Sequence, residues 1–123
     1  MTKRRSGSVL CIGNNPVLLN LRCSLVREDG WDLLSSGSGH DGILQFSRKH
    51  VDIVVVDMND DGSEAALIAG EVKRLDGGTR VILIVPDGKV LIAGATEQAD
   101  AVLLRSEEND KLIETLRSLV PKT

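Results

Sequence analysis

The sequence predicts an α/β fold, a single domain built on a doubly wound, five-stranded parallel sheet. Three observations carry that prediction. Short apolar runs alternate with helical patterns five times, as strands and crossover helices of a parallel sheet do. The run Val51-Asp52-Ile53-Val54-Val55-Val56-Asp57 is almost continuously β-branched, which suits a central strand covered by helices on both faces. The length, 123 residues with 41% hydrophobic content, suits one compact core.

Each element follows from local pattern. Ser8 to Ile12 reads as the first strand. Asn15 is a natural N-cap, and Pro16 opens a helix that runs to about Glu28, where Asp29-Gly30 breaks it. Trp31 to Ser35 forms a second strand, followed by a glycine-containing loop and a short helix from about His40 to Lys49. Val51 to Asp57 is the central strand. After the polar loop Met58 to Gly62, Ser63 is expected to cap a helix reaching about Leu75, which Asp76-Gly77-Gly78 ends. Arg80 to Val85 is a fourth strand, stopped by Pro86-Asp87-Gly88. A helix rich in small residues is expected from about Lys89 to Glu97, and a fifth strand from Ala101 to Arg105. In the last helix Leu112, Ile113, Leu116, Leu119 and Val120 line one face. The domain is expected over residues 8–121, with 1–7 a flexible tail that carries Lys3-Arg4-Arg5.

Composition excludes several classes of function. A net charge of -3 and a pI near 5.3 give no general attraction to nucleic acid or anionic membrane. One Trp, one Phe and no Tyr leave little surface on which bases can stack. No apolar stretch approaches the ~20 residues of a membrane-spanning helix, and the expected location is cytoplasmic. Cys11 and Cys23 read as small buried hydrophobes, and with His40 and His50 they make no metal-ligand spacing.

Asp57 ends the central strand, and open α/β sheets bind ligands outside the carboxyl ends of their strands. A rival site lies nearby. Gly37-Ser38-Gly39-His40-Asp41-Gly42 matches the GxGxxG dinucleotide pattern, and Asp57 lies 20 residues beyond Gly37. A small nucleotide-binding domain using Gly37, Gly39 and Gly42 is therefore an alternative. A flexible loop between the second strand and the second helix is the plainer reading.

Over Val9 to Val120 the chain resembles the receiver domain of two-component response regulators. One mark is Val9-Leu10-Cys11-Ile12-Gly13-Asn14-Asn15-Pro16, where the family has an apolar strand, two Asp and often Asn-Pro. Others are Asp57 with Asn59 two residues on, and Gln98-Ala99-Asp100-Ala101-Val102-Leu103-Leu104-Arg105, where the family often has Gly-Ala-Asp before a strand ending in Lys-Pro. The resemblance implies a flavodoxin-like (βα)5 domain of strand order 2-1-3-4-5. It also implies a reaction: the acid pair and the strand-three Asp hold Mg²⁺, and that Asp takes a phosphoryl group.

Much of the implied machinery is altered. Gly13 and Asn14 stand at the acid-pair positions, Val85 replaces the hydroxyl residue, Val102 the aromatic switch, and Arg105 the Lys. Asn14, Asp57 and Asn59 remain weak candidates as metal ligands. Asp57, the phosphoacceptor candidate, is expected to pair with Arg105. The expected function is that of a pseudo-receiver, acting by protein–protein interaction, without enzymatic activity and without a cofactor. Mg²⁺ enters only under the alternative, a single-domain response regulator phosphorylated on Asp57 in a phosphorelay. Expected partners are a histidine kinase or another signalling protein, or a second copy through Lys89 to Val120; nucleic acid and membrane are not expected.

Overall fold

The computed structural model of the chain describes residues 7–120. The basic cluster Lys3-Arg4-Arg5, and the first six residues of the expected tail, lie outside the described residues, as does residue 121. Five strands, β1 (Ser8–Gly13), β2 (Asp32–Ser36), β3 (Ile53–Asp57), β4 (Arg80–Val85) and β5 (Ala101–Leu104), form one parallel sheet of order β2-β1-β3-β4-β5. Helices α1 (Pro16–Glu28), α2 (Gly39–Arg48), α3 (Ser63–Leu75) and α4 (Glu108–Leu119) flank it.

Side-chain alternation along the strands sorts the core into two layers. Val9 and Cys11 on β1, Ile53 and Val55 on β3, and Ile82 and Ile84 on β4 pack with Val26 of α1 and with Leu112 and Leu116 of α4. Leu10, Ile12, Val54 and Val56 turn the other way, against Phe46 of α2 and Ile68, Ala69 and Val72 of α3. β3 is buried at all five residues, which accounts for its unbroken apolar run.

The helix starts follow local chemistry. The Asn15 side chain accepts the Val17 and Leu18 amides, and Pro16 stands at the first helical position, where its missing N–H costs nothing. Ser38 caps α2 by accepting the Asp41 amide. At α3 the expected cap by Ser63 is not formed. Gly62 is the N-cap, at a φ of 89°, a left-handed conformation that favours glycine. Asp60 and Asp61 supply the missing acceptors, bonding the amides of Gly62, Ser63 and Glu64.

The largest departure from expectation lies between β4 and β5. No helix forms there; residues 86–100 run as successive turns. The bonds Lys89→Pro86, Ala95→Ile92, Glu97→Gly94 and Ala99→Thr96 each close on the third residue back. Val90, Ile92 and Thr96 are β-branched, and Gly88 and Gly94 take positive φ, so intrinsic preference opposes a helix. Tertiary contacts then hold the segment down. Ile92 donates to the Asp61 carbonyl, and Ala95 is buried so close to Gly62 that an added Cβ would come within 2.8 Å of it. Asp100 anchors the far end, accepting from the Val81 amide and from Lys73, contacts that hold its carboxyl below the ordinary range against the cost of burial. Without a helix above them, Val102 and Leu104 on β5 stay exposed, alongside Val90 and Ile92.

Candidate functional site

The register of the sheet places Gly13 and Asp57 side by side at the carboxyl ends of β1 and β3. Helices diverge to opposite faces at this point, the usual place for a site in an open α/β sheet. Asp57 is 2% exposed, and both of its carboxylate oxygens are taken. Oδ1 accepts from Arg105 Nη2 at 2.6 Å, and Oδ2 from Arg22 Nη2 at 2.8 Å.

The Arg105 contact forms the expected pair, but one nitrogen makes it rather than a bidentate fork. Nη1 reaches toward the Asn59 side-chain oxygen at 3.5 Å, and Nε is buried without a partner. Arg22 was not anticipated. It projects from α1, is 1% exposed, and forms a second ion pair with Glu108, the first residue of α4. Nε donates to Glu108 Oε2, and Nη2 donates to Oε1 at 2.9 Å. Burial works against the Arg22 charge, but bonding to Glu108 and then Asp57 outweighs it, and its pKa stands above the ordinary arginine value. Two guanidinium groups and two carboxylates thus close a network spanning α1, β3, the end of β5 and α4.

The sequence did contain a signal for Arg22. Leu19, Arg22, Cys23 and Val26 occupy the i, i+3, i+4, i+7 positions of the core-facing side of α1. A charge on such a stripe has to find a buried partner. Glu108 follows Glu107 at a helix start, where acids are ordinarily solvated, and its sequence window gives no sign of its burial. Glu107 stays at the surface, accepting the Leu104 amide and pairing with Lys111.

The remaining sequence candidates gather around the same edge. Asn14 accepts the Asn59 amide at 3.2 Å and so joins the β1–α1 and β3–α3 loops. Val85 is partly buried at the end of β4, while Val102 points outward. The residues present do not fit a divalent ion. Asn14 Oδ1 and both Asp57 oxygens are engaged, and among the described residues no three His, Cys, Asp or Glu side chains cluster as a metal would require.

The glycine-rich rival lies elsewhere, and packing occupies two of its three positions. A Cβ on Gly39 would stand 2.9 Å from Ile68 Cδ1, and one on Gly42 only 2.5 Å from Ile12 Cδ1. The cavity of about 300 Å³ that Gly39 lines carries Glu64 and Glu71 on its walls, the wrong sign for a pyrophosphate. Cys11 and Cys23 are both free and buried, as expected. His40 and His50 are exposed.

A five-stranded sheet of this order, with an acid ending β3 and a basic residue following β5, is the receiver fold of two-component response regulators. No family model matches the chain. Among characterised proteins it is similar to the transcriptional regulatory protein GlrR of Escherichia coli, at 24% identity over 84% of this chain and 23% of that one. It is likewise similar to the probable transcriptional regulatory protein TcrX of Mycobacterium tuberculosis, at 25% identity over 94% of this chain and 50% of that one. The chain therefore spans between about a quarter and a half of these relatives. Its fold superposes on the response regulator TrrA of Thermotoga maritima, solved with Mg²⁺-BeF, with a TM-score of 0.82 and 20% identity, covering 93% of this chain and 99% of that one. TrrA has also been solved in complex with the histidine kinase ThkA. No helix among the described residues is long and apolar enough to cross a membrane.

Proposed function

We propose that this chain is a receiver-like signalling domain that works by protein–protein interaction and does not undergo Mg²⁺-dependent phosphorylation on Asp57. The observation that carries this reading is the double engagement of the Asp57 carboxylate by Arg22 and Arg105 at 2% exposure. Nucleophilic attack on a phosphoryl group needs a free oxygen lone pair, in-line access and a cation to neutralise the incoming charge. Here both oxygens are tied, access is closed, and Gly13 and Asn14 bring no carboxylate to hold the ion. On this reading the domain is neither an enzyme nor dependent on a cofactor, and it acts in the cytoplasm. Its partner is a signalling protein, with a histidine kinase in view because TrrA binds one.

Incubation with acetyl phosphate and Mg²⁺, followed by intact-mass spectrometry, is expected to leave the mass unchanged. A phosphoryl mass gain that disappears in Asp57→Ala would establish the opposite reading, a working phosphoacceptor.

Self-association through the face left open by the unformed helix belongs to the same proposal. Val90 and Ile92 in the turns after β4, and Val102 and Leu104 on β5, are exposed, and a second copy would cover them. Light scattering is expected to give the mass of a dimer for the native chain and of a monomer for Val102→Asp. A native chain that stays monomeric at high concentration would count against this face.

A further inference from the structure

Building on the reading above, we propose that Asp57 and Glu108 form a two-carboxylate cation site whose resident cation is the Arg22 guanidinium. The metal implied by the fold is thus replaced by a side chain of the chain itself. Arg22 Nη2 lies 2.8 Å from Asp57 Oδ2 and 2.9 Å from Glu108 Oε1, touching one oxygen of each acid. That is the bridging position a hard cation takes between two carboxylates. A Cβ on Gly13 would stand 3.3 Å from the Asp57 carbonyl oxygen and 3.5 Å from Arg22 Nη1, in contact with the guanidinium, so the space beside Gly13 is the space the guanidinium borders. Glycine at residue 13 thus brings no acid to the site, and the guanidinium of Arg22 lies beside it.

The second carboxylate comes from an unexpected element. Glu108 reaches the site from the start of α4, so the acids are spread over β3 and α4 instead of lying together after β1. A covalently attached cation has consequences that a bound ion lacks. Its occupancy does not follow metal concentration, a chelator cannot remove it, and it ties α1 to β3 and α4 at once. The domain is thereby held in a single arrangement of these three elements, a standing signal to any partner that reads this edge.

The test is a titration with Mn²⁺ alone, following melting temperature and the Mn²⁺-induced broadening of amide NMR signals. The native chain is expected to show neither effect. Arg22→Ala, which uncovers the two acids, is expected to melt higher as Mn²⁺ rises, with an apparent affinity about tenfold or more above the native chain. Broadening should centre on Asp57 and Glu108, and adding Glu108→Gln should abolish it. If Arg22→Ala folds only when Mn²⁺ is added, that supports the same assignment. Arg22→Gln, which keeps hydrogen-bond donors, provides a folded protein if Arg22→Ala does not fold at all. A native chain that binds Mn²⁺ at Asp57 as tightly as the variants would overturn the proposal, as would variants that ignore millimolar Mn²⁺. Either failure differs from a phosphoryl mass gain on the native chain, which alone sinks the parent reading.

Discussion

Arg22→Ala is expected to destabilise the domain by about 3–5 kcal/mol, the range for breaking a buried ion pair by removing one partner. The loss comes less from the vanished contact than from what stays behind. Glu108 keeps only 7% exposure and pairs with no other cation among the described residues, and Asp57 keeps only Arg105, whose side chain is 25% exposed. Two carboxylates would then face each other in a space closed to water. Glu108→Ala should also be costly, because it leaves Arg22 with one acid to balance. The two changes together should cost clearly less than their sum, since residues sharing one network couple by about 0.5–3 kcal/mol. A surface pair sets the contrast: Arg74 and Glu71 are largely exposed and screened by solvent, and Arg74→Ala should cost far less. The pH dependence of the Arg22 charge has a definite sign. Its folded pKa is raised, so its contribution is complete below the unfolded arginine value and fails only as pH climbs past the folded one. Urea unfolding of the native chain and the four variants at neutral pH measures these losses. If Arg22→Ala unfolds within 1 kcal/mol of the native chain, the buried network is not what holds this edge together.

Much of this architecture was legible because buried parallel strands advertise themselves. β3 announced its burial by four β-branched apolar residues in succession, and the 3.6-residue stripe of α4 fixed its inward face. Asp57 was legible too, since an acid at the end of such a strand can only lie on the sheet's carboxyl edge. Local pattern failed where pairing partners are distant. Arg22 and Glu108 are 86 residues apart, and each looks ordinary in its own window. The segment after β4 failed for a different reason. Its apolar residues invited a helix, but two glycines and three β-branched residues leave little helical preference, and contacts with Gly62 and Asp61 reward turns instead. The fold tolerates the missing helix because β5 meets α4 through Leu103 on its other face.

The glycine motif after β2 shows how one pattern can answer to two physical demands, and a paired substitution separates them. Ile12 is fully buried on β1, and its Cδ1 and Cγ1 lie 2.5 and 2.7 Å from the place a Cβ on Gly42 would occupy. The α2 backbone thus rests almost directly on the isoleucine. Ile12→Ala is expected to cost about 2–5 kcal/mol, toward the upper end, because a helix held by its own neighbours cannot sink into the void. Gly42→Ala pulls two ways. Alanine gains about 1 kcal/mol of helix preference over glycine, while overpacking a tight core costs about 1–3 kcal/mol, so the net should be a modest loss. With Ile12 already cut to alanine the clash disappears and the new methyl partly fills the cavity. The double variant is therefore expected to be more stable than Ile12→Ala alone, by about 1 kcal/mol or more. Packing demands that reversal of sign, whereas a glycine kept for a phosphate gives no reason for it. Equal losses from Gly42→Ala in both backgrounds, measured by urea unfolding, would mean that the close approach to Ile12 is not what fixes glycine at this position.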